Sequence, residues 1–194
     1  MGGECAWSFD PKGLSAKSVI YSAGVGRDIS FEHELIDYLG CRIILLDPSP
    51  TGLRTMQEKA NQRNEIEYFP LGLAGTYGEY RFSDPLKPAE GSFSYAREGQ
   101  DFHVFSCTDL SKLMQQHGHT HIDLLKMDIE GFEYDVIDRI LRDRLDVRQL
   151  CIEFHYDLDS GFTRRDFIRA IMRLRLRGYR LIYRHNCDLT FLKG

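Results

Sequence analysis

The run Leu125-Lys126-Met127-Asp128-Ile129-Glu130-Gly131-Phe132-Glu133 carries apolar residues into three acids and a glycine. Carboxylates placed this way can accept a proton from a bound nucleophile or coordinate a cation. His155, beyond Leu150-Cys151-Ile152-Glu153-Phe154, adds a side chain that titrates near neutrality. Asp128 is the first candidate base, with Glu130 and His155 next, because all three fall at strand ends; Glu133 reads as an acid that satisfies helix amides. A second chemical region lies upstream. Val19-Ile20-Tyr21-Ser22-Ala23 runs into the turn Gly24-Val25-Gly26-Arg27-Asp28, and Ile43-Ile44-Leu45-Leu46 ends in Asp47-Pro48. The acid follows the glycine turn by about 20 residues, the spacing at which a strand-end carboxylate meets a nucleotide ribose. Together the two regions imply a nucleoside-bearing cofactor.

These residues can meet only if the elements between them form an open sheet, whose ligands bind outside the carboxyl ends of the strands. Strand and helix patterns alternate along nearly the whole chain, which argues for a parallel α/β sheet. Ser30 caps a helix to about Leu39 with Glu32 and Glu34 in its first turn, and Arg42 to Leu46 is the second strand. Pro50 opens a helix that turns Leu53, Met56 and Ala60 to the sheet, and Ile66 to Pro70 is the third strand. Tyr80 to Phe82 and Phe102 to Phe105 are short extra strands flanking the Pro-, Gly- and Ser-rich stretch 83–101, a candidate lid. Asp109 starts a short helix, Ile122 to Met127 is the fourth main strand, and Val136, Ile137, Ile140 and Leu141 face inward from the next helix. Leu150 to Phe154 is the fifth strand. A helix over 163–177 turns Phe167, Ile168, Ile171 and Leu174 inward and carries arginines on its flanks, a solvated face with stems over apolar surface. Tyr179 to Arg184 and Asp188 to Leu192 close the chain as a hairpin. That hairpin supplies the antiparallel last strand that separates an S-adenosylmethionine methyltransferase sheet from an ordinary dinucleotide-binding domain.

Length and composition are consistent with one domain over residues 1–194, with 1–17 as a lead-in. The net charge of -4 offers no general attraction to nucleic acid, and no segment has the length and apolarity to cross a membrane. The five cysteines are scattered without CxxC or Cys/His spacing, so reduced thiols and a cytoplasmic setting are expected. The sequence assigns no metal ligand. A convergence of Asp128, Glu153 and His155 on a divalent cation stays open, and the run His117, His119, His121 reads as a polar loop.

Ile29 occupies the third place of a GxGxxG fingerprint, so a pyrophosphate site is not encoded and a nicotinamide cofactor is disfavoured. S-Adenosylmethionine asks less of this turn: room beside Gly24, and polar groups such as Ser22 and Asp28. The run Lys126-Met127-Asp128-Ile129-Glu130-Gly131-Phe132-Glu133 resembles the lysine-any-aspartate-any-glutamate-glycine-any-glutamate signature of the FkbM-type methyltransferases. Tyr21 to Phe31 is similar to the first motif of the branch related to the methyltransferase-like proteins, Asp47-Pro48-Ser49-Pro50 to the family's acid-Pro segment, and Gln149 to His155 to its fifth strand. Many members have an acid at the place of Ser22 and a glycine at that of Asp28. The resemblance implies a Rossmann-like class I methyltransferase fold: a mostly parallel seven-stranded sheet, an antiparallel last strand and helices on both faces. It implies S-adenosylmethionine as donor, held by Ser22, Ala23, Gly24, Gly26, Asp28, Asp47, Pro48, Gly72, Leu73 and Asp128, and a hydroxyl acceptor on a small molecule, sugar or natural product. A binding module without catalysis, and more distantly a nicotinamide-dependent oxidoreductase, are the competing readings. Tyr77, Tyr80, Phe93, Tyr95 and Phe102 are candidates for an aromatic wall around the acceptor.

Overall fold

Apolar runs that suit a sheet buried on both faces recur at regular intervals, and they set the order of the elements. The structure, a computed structural model, describes residues 7–84, 91–95, 102–156 and 161–194. In chain order the elements are β1 (Val19–Ala23), α1 (Ser30–Leu39), β2 (Arg42–Leu46), α2 (Pro50–Gln57), a 3-10 turn (Lys59–Asn61), β3 (Ile66–Phe69), β4 (Gly72–Leu73), β5 (Gly78–Ser83), β6 (Ser94–Tyr95) and β7 (Phe102–Thr108). They continue with α3 (Leu110–His117), β8 (Ile122–Met127), α4 (Glu133–Asp143), β9 (Val147–Glu153), α5 (Arg164–Leu176), β10 (Tyr179–His185) and β11 (Asp188–Lys193). The main sheet has seven strands in the order β10-β11-β9-β8-β1-β2-β3. β1, β2, β3, β8 and β9 run parallel, and β11 lies antiparallel between β9 and β10. This is the Rossmann-like methyltransferase architecture expected, its reversed last strand supplied by the terminal hairpin. No helix among the described residues is long and apolar enough to cross a membrane.

Alternation along the strands divides the core between the two faces of the sheet. Ile20, Ile43, Leu45 and Leu124 pack against Phe31, Leu35 and Ile36 of α1 and against Trp7 of the lead-in. Tyr21, Ile44, Leu125 and Leu150 pack on the other face against Leu113 of α3, Val136, Ile137 and Ile140 of α4, and Phe167 and Leu174 of α5. Each such side chain, removed from water, contributes roughly 1.5–3 kcal/mol before the entropy of ordering it is counted. β8 is buried along its whole length, as a central parallel strand must be.

Two helix faces differ from the pattern expected. On α2, Leu53 and Ala60 do not turn inward: Leu53 is exposed, Ala60 falls in the 3-10 turn, and the buried side is Thr51, Gly52 and Thr55, with Met56 only partly covered. The cause is the strand end below. A Cβ on Gly52 would come within 2.4 Å of Asp47 Cγ, so only a small residue lets the helix start this close. On α5, Ala170 takes the inward place expected of Ile168, which is exposed together with Met172 and Leu176. The cap follows the rules: Thr163 and Asp166 form a reciprocal capping box.

The short strands anticipated around 80–82 and 102–105 belong to a separate four-stranded sheet, ordered β4-β7-β5-β6. It is seated over the β8–α4 turn by Phe82, whose ring stacks on Phe132 at 4.7 Å. Part of the candidate lid, residues 85–90 and 96–101, lies outside the described residues, as do Cys5 and the side chain of Tyr95. Cys41, Cys107, Cys151 and Cys187 are unpaired, and burial pushes the Cys107 and Cys151 thiols up to about 12.

Candidate active site

The carboxyl ends of β1, β2 and β8 open on one cleft enclosing about 580 Å³, part of it continuous with solvent. Gly24, Gly26, Asp47, Pro48, Gly72, Leu73 and Asp128, all anticipated, line it. Its glycine turn is held by contacts that leave no room for a side chain. Gly24 has φ +91°, and a Cβ there would fall 1.8 Å from the Asp128 carbonyl oxygen. The Asp128 amide donates to the Ala23 carbonyl at 3.0 Å, and the Lys126 ammonium, itself buried, donates to the Gly24 carbonyl at 2.5 Å. Lys126 thus ties the acidic turn to the glycine turn from beneath.

Asp47 is the knot between β1 and β2. One carboxylate oxygen accepts from the amides of Val25 at 2.8 Å and Gly26 at 3.1 Å, the other from Ser49 at 2.7 Å. A carboxylate has about four acceptor positions, so most of its capacity is committed to backbone. Ser22, Ala23 and Asp28 stand behind the cleft wall and do not line it. Ser22 donates to the buried Glu32 carboxylate of α1 at 2.5 Å, while both Asp28 oxygens are used on the amide and hydroxyl of Ser30, each at 2.8 Å. The acid absent from position 22 therefore has a counterpart on α1, in the first turn of that helix.

The second half of the site is built on Glu133. Fully buried, it accepts the amides of Ile129 and Gly131, both at 3.0 Å, and meets His155 Nδ1 at 2.9 Å. It satisfies amides, as expected, but those of the turn before its helix. That turn holds Glu130 at φ +54°, a left-handed backbone that a non-glycine residue adopts only under constraint. The imidazole then stands with Nε2 3.4 Å from Glu130 Oε2 and 3.9 Å from Asp128 Oδ1. Asp128, Glu130 and His155 are thereby brought together, each still partly exposed. Glu153 is a neighbour that feels the charges of Asp128, His155 and Glu130, but it is Glu130 that completes the trio.

The electrostatics are those of crowded carboxylates. Burial pushes the Glu130 carboxyl up, against the lowering effect of His155, with Asp128 adding to the rise. Glu153 rises to about 8, through burial and then through the Asp128 charge. Asp188, on β11 beside them, is raised chiefly by burial. Burial alone would lower His155; the charge and hydrogen bond of Glu133, then the charges of Glu130 and Asp128, outweigh it and hold the imidazole up to about 11. The site is a pocket that favours positive charge between its acids.

Aromatic residues complete the wall, though not the set expected. Phe93 lines the cleft, joined by Phe82 and Phe132, which the strand and helix patterns did not single out. Tyr80 supports Phe132 edge-on, Tyr77 is exposed under Lys112, and Phe102 is exposed against Arg81. Ser49, Gly91, Ser92 and Ile129 also line the cleft, and Ser92 hydrogen-bonds Glu130. Their signal in the sequence was weak, since each depends on how the second sheet folds over the first. His117, His119 and His121 lie outside this constellation: His119 meets the Tyr21 hydroxyl at 2.8 Å, and His117 stacks on it.

Comparison with known proteins agrees with this fold. Residues 15–181 match the family model described as the methyltransferase FkbM domain. The chain is 25% identical over 138 residues to the rat (Rattus norvegicus) "Probable methyltransferase-like protein 24", an alignment covering 70% of this chain and 32% of that protein. The chain thus matches about a third of this relative's length.

Proposed function

The chain belongs to the methyltransferase FkbM domain family, and from that premise we propose that it transfers the methyl group of S-adenosylmethionine to a hydroxyl oxygen of a small molecule or glycan. The observation that carries the reading is the single cleft that joins a glycine turn, a strand-end acid on β2 and the acids beyond β8. The donor's nucleoside fits the side formed by Asp47, Pro48, Gly72 and Leu73, and its methionine part the glycine turn at Gly24 and Gly26. The sulfonium then faces Asp128.

A sulfonium is already a strong electrophile, so the protein's work is to align the acceptor and accept its proton. The acceptor oxygen forms its bond to the methyl carbon as the carbon–sulfur bond breaks, the sulfur leaves as the neutral thioether of S-adenosylhomocysteine, and the hydroxyl proton passes to Asp128, with Glu130 and His155 beside it. Phe82, Phe93 and Phe132 offer the apolar surface on which a ring of the acceptor would rest.

Calorimetric titration of the purified chain with S-adenosylmethionine, S-adenosylhomocysteine and NAD tests the donor. Binding of both sulfur nucleosides and none of NAD is expected; preference for NAD, or no binding by a folded sample, overturns the proposal. A hydroxyl-acceptor screen that follows S-adenosylhomocysteine release then tests the reaction. An Asp47→Ala variant is a poor control here, since its loss frees three backbone amides.

A further inference from the structure

The atoms of Asp128, Glu130 and His155 that face one another lie at separations with a definite chemical meaning. His155 Nε2 is 3.4 Å from one carboxylate oxygen and 3.9 Å from the other, and the three groups can each offer an atom within 4.8 Å of the rest. An N–H···O hydrogen bond spans about 2.7–3.2 Å, so neither contact is one. Neighbouring ligands in an octahedral shell with bonds near 2.1 Å sit about 3 Å apart and opposite ones about 4.2 Å apart. The trio is therefore spaced as ligands are, slightly opened, rather than as hydrogen-bonded partners.

The orientation of His155 points the same way. Its Nδ1 is engaged by Glu133, a fully buried carboxylate that already accepts two amides and so acts as an acceptor. The proton on that side stays on Nδ1, and Nε2, turned toward Asp128 and Glu130, releases the proton that the acids favour when a cation takes its place between them. Carboxylates bound to the far nitrogen of an imidazole are the usual means of fixing a metal-binding histidine. Through the Ile129 and Gly131 amides the same Glu133 holds the left-handed turn that aims Glu130 inward. One buried side chain thus orients two of the three groups.

We propose that Asp128, Glu130 and His155 bind one divalent cation of the Mg2+ and Mn2+ class, with its remaining positions open to the acceptor's oxygen. Two carboxylates and one imidazole, without a thiolate, suit these hard cations. The charge of the ion also relieves the repulsion among Asp128, Glu130, Glu133 and Glu153. The catalytic part of the inference rests on the methyl-transfer reading. The cation binds the acceptor hydroxyl and makes its proton easier to lose; the O–H bond breaks, the proton leaves to solvent, and the oxygen takes the methyl group as the sulfur departs. Release to solvent then replaces direct proton transfer to Asp128.

The test uses the whole chain, stripped with a chelator and titrated with Mn2+ while the electron paramagnetic resonance of the free ion is followed. One Mn2+ per chain, displaced by excess Mg2+, is expected. Binding should vanish in His155→Ala and in the double variant Asp128→Asn/Glu130→Gln, each shown folded by circular dichroism. It should weaken about 10–100-fold in Glu133→Gln; if that variant fails to fold, the other two carry the test. Calorimetry with S-adenosylhomocysteine on the same samples is the separate readout. A chain that binds the nucleoside but no Mn2+ overturns the cation site and leaves the donor reading intact, and one that binds Mn2+ but no nucleoside does the reverse. Mn2+ binding that survives His155→Ala, as capture by the His117, His119 and His121 group would, also overturns it.

Discussion

The two turns that meet at the cleft spend their polar groups differently. At the ends of β1 and β2 the polar side chains are engaged with the chain itself: Asp47 accepts from three amides, Asp28 accepts from the amide and hydroxyl of Ser30, and Ser22 donates to Glu32. At the ends of β8 and β9, Asp128, Glu130 and His155 stand at 3.4–3.9 Å, close enough to feel one another and too far to be satisfied by one another. The first turn is a rigid receptacle in which backbone does the presenting. The second holds charge facing a place open to ligand, with Glu133 concentrating the structural load in one buried residue. Acids at equivalent strand ends thus serve opposite purposes, and hydrogen-bond saturation is what separates them.

That contrast can be broken or sharpened by substitution. The largest effect is expected from Asp128→Asn, which keeps shape and removes charge on the side that faces ligand. Turnover, measured as S-adenosylhomocysteine release, should fall about a thousandfold, while the denaturant midpoint stays close to that of the parent; an equal loss of stability would show Asp128 to be structural like Asp47. Gly24→Ala should destabilise by about 3 kcal/mol in urea unfolding, because its Cβ meets backbone and its φ is positive. Wild-type stability in that variant would mean the two turns do not touch as described. Glu133→Gln, which retains shape but loses the charge beneath His155, should cost about 2 kcal/mol. Leu53→Ser, by contrast, should change stability by no more than about 0.5 kcal/mol, since the working face of α2 is Thr51, Gly52 and Thr55; a larger loss would restore the amphipathic reading of that helix.

The sequence makes the sheet legible because its strands are apolar runs with clear stops, and β8 and the terminal hairpin fall where the pattern places them. Helix faces are less legible where proximity overrides hydrophobicity. Leu53 looks like a core residue until Asp47 requires a glycine at position 52 and the helix buries Thr51 and Thr55 beside it. The acids beyond β8 announce themselves by type and position, but which of them is buried support does not. Glu133 and Glu130 are chemically alike and three residues apart, and only the turn geometry makes one a brace and the other a facing group. The second sheet's contribution was hidden for another reason: Phe82 and Phe132 are ordinary core aromatics in one dimension and become cleft lining only through a long-range stack.

The Lys126 ammonium against the Gly24 carbonyl, with Gly24 itself pressed to the Asp128 backbone, has a mechanical consequence. The glycine turn and the acidic turn form a truss with no free joint: a displacement of one strand end is passed to the other through bonded and touching backbone. The distance between what the first turn grips and what the second turn presents is therefore set by the sheet spacing, like the throw of a tool fixed in its frame.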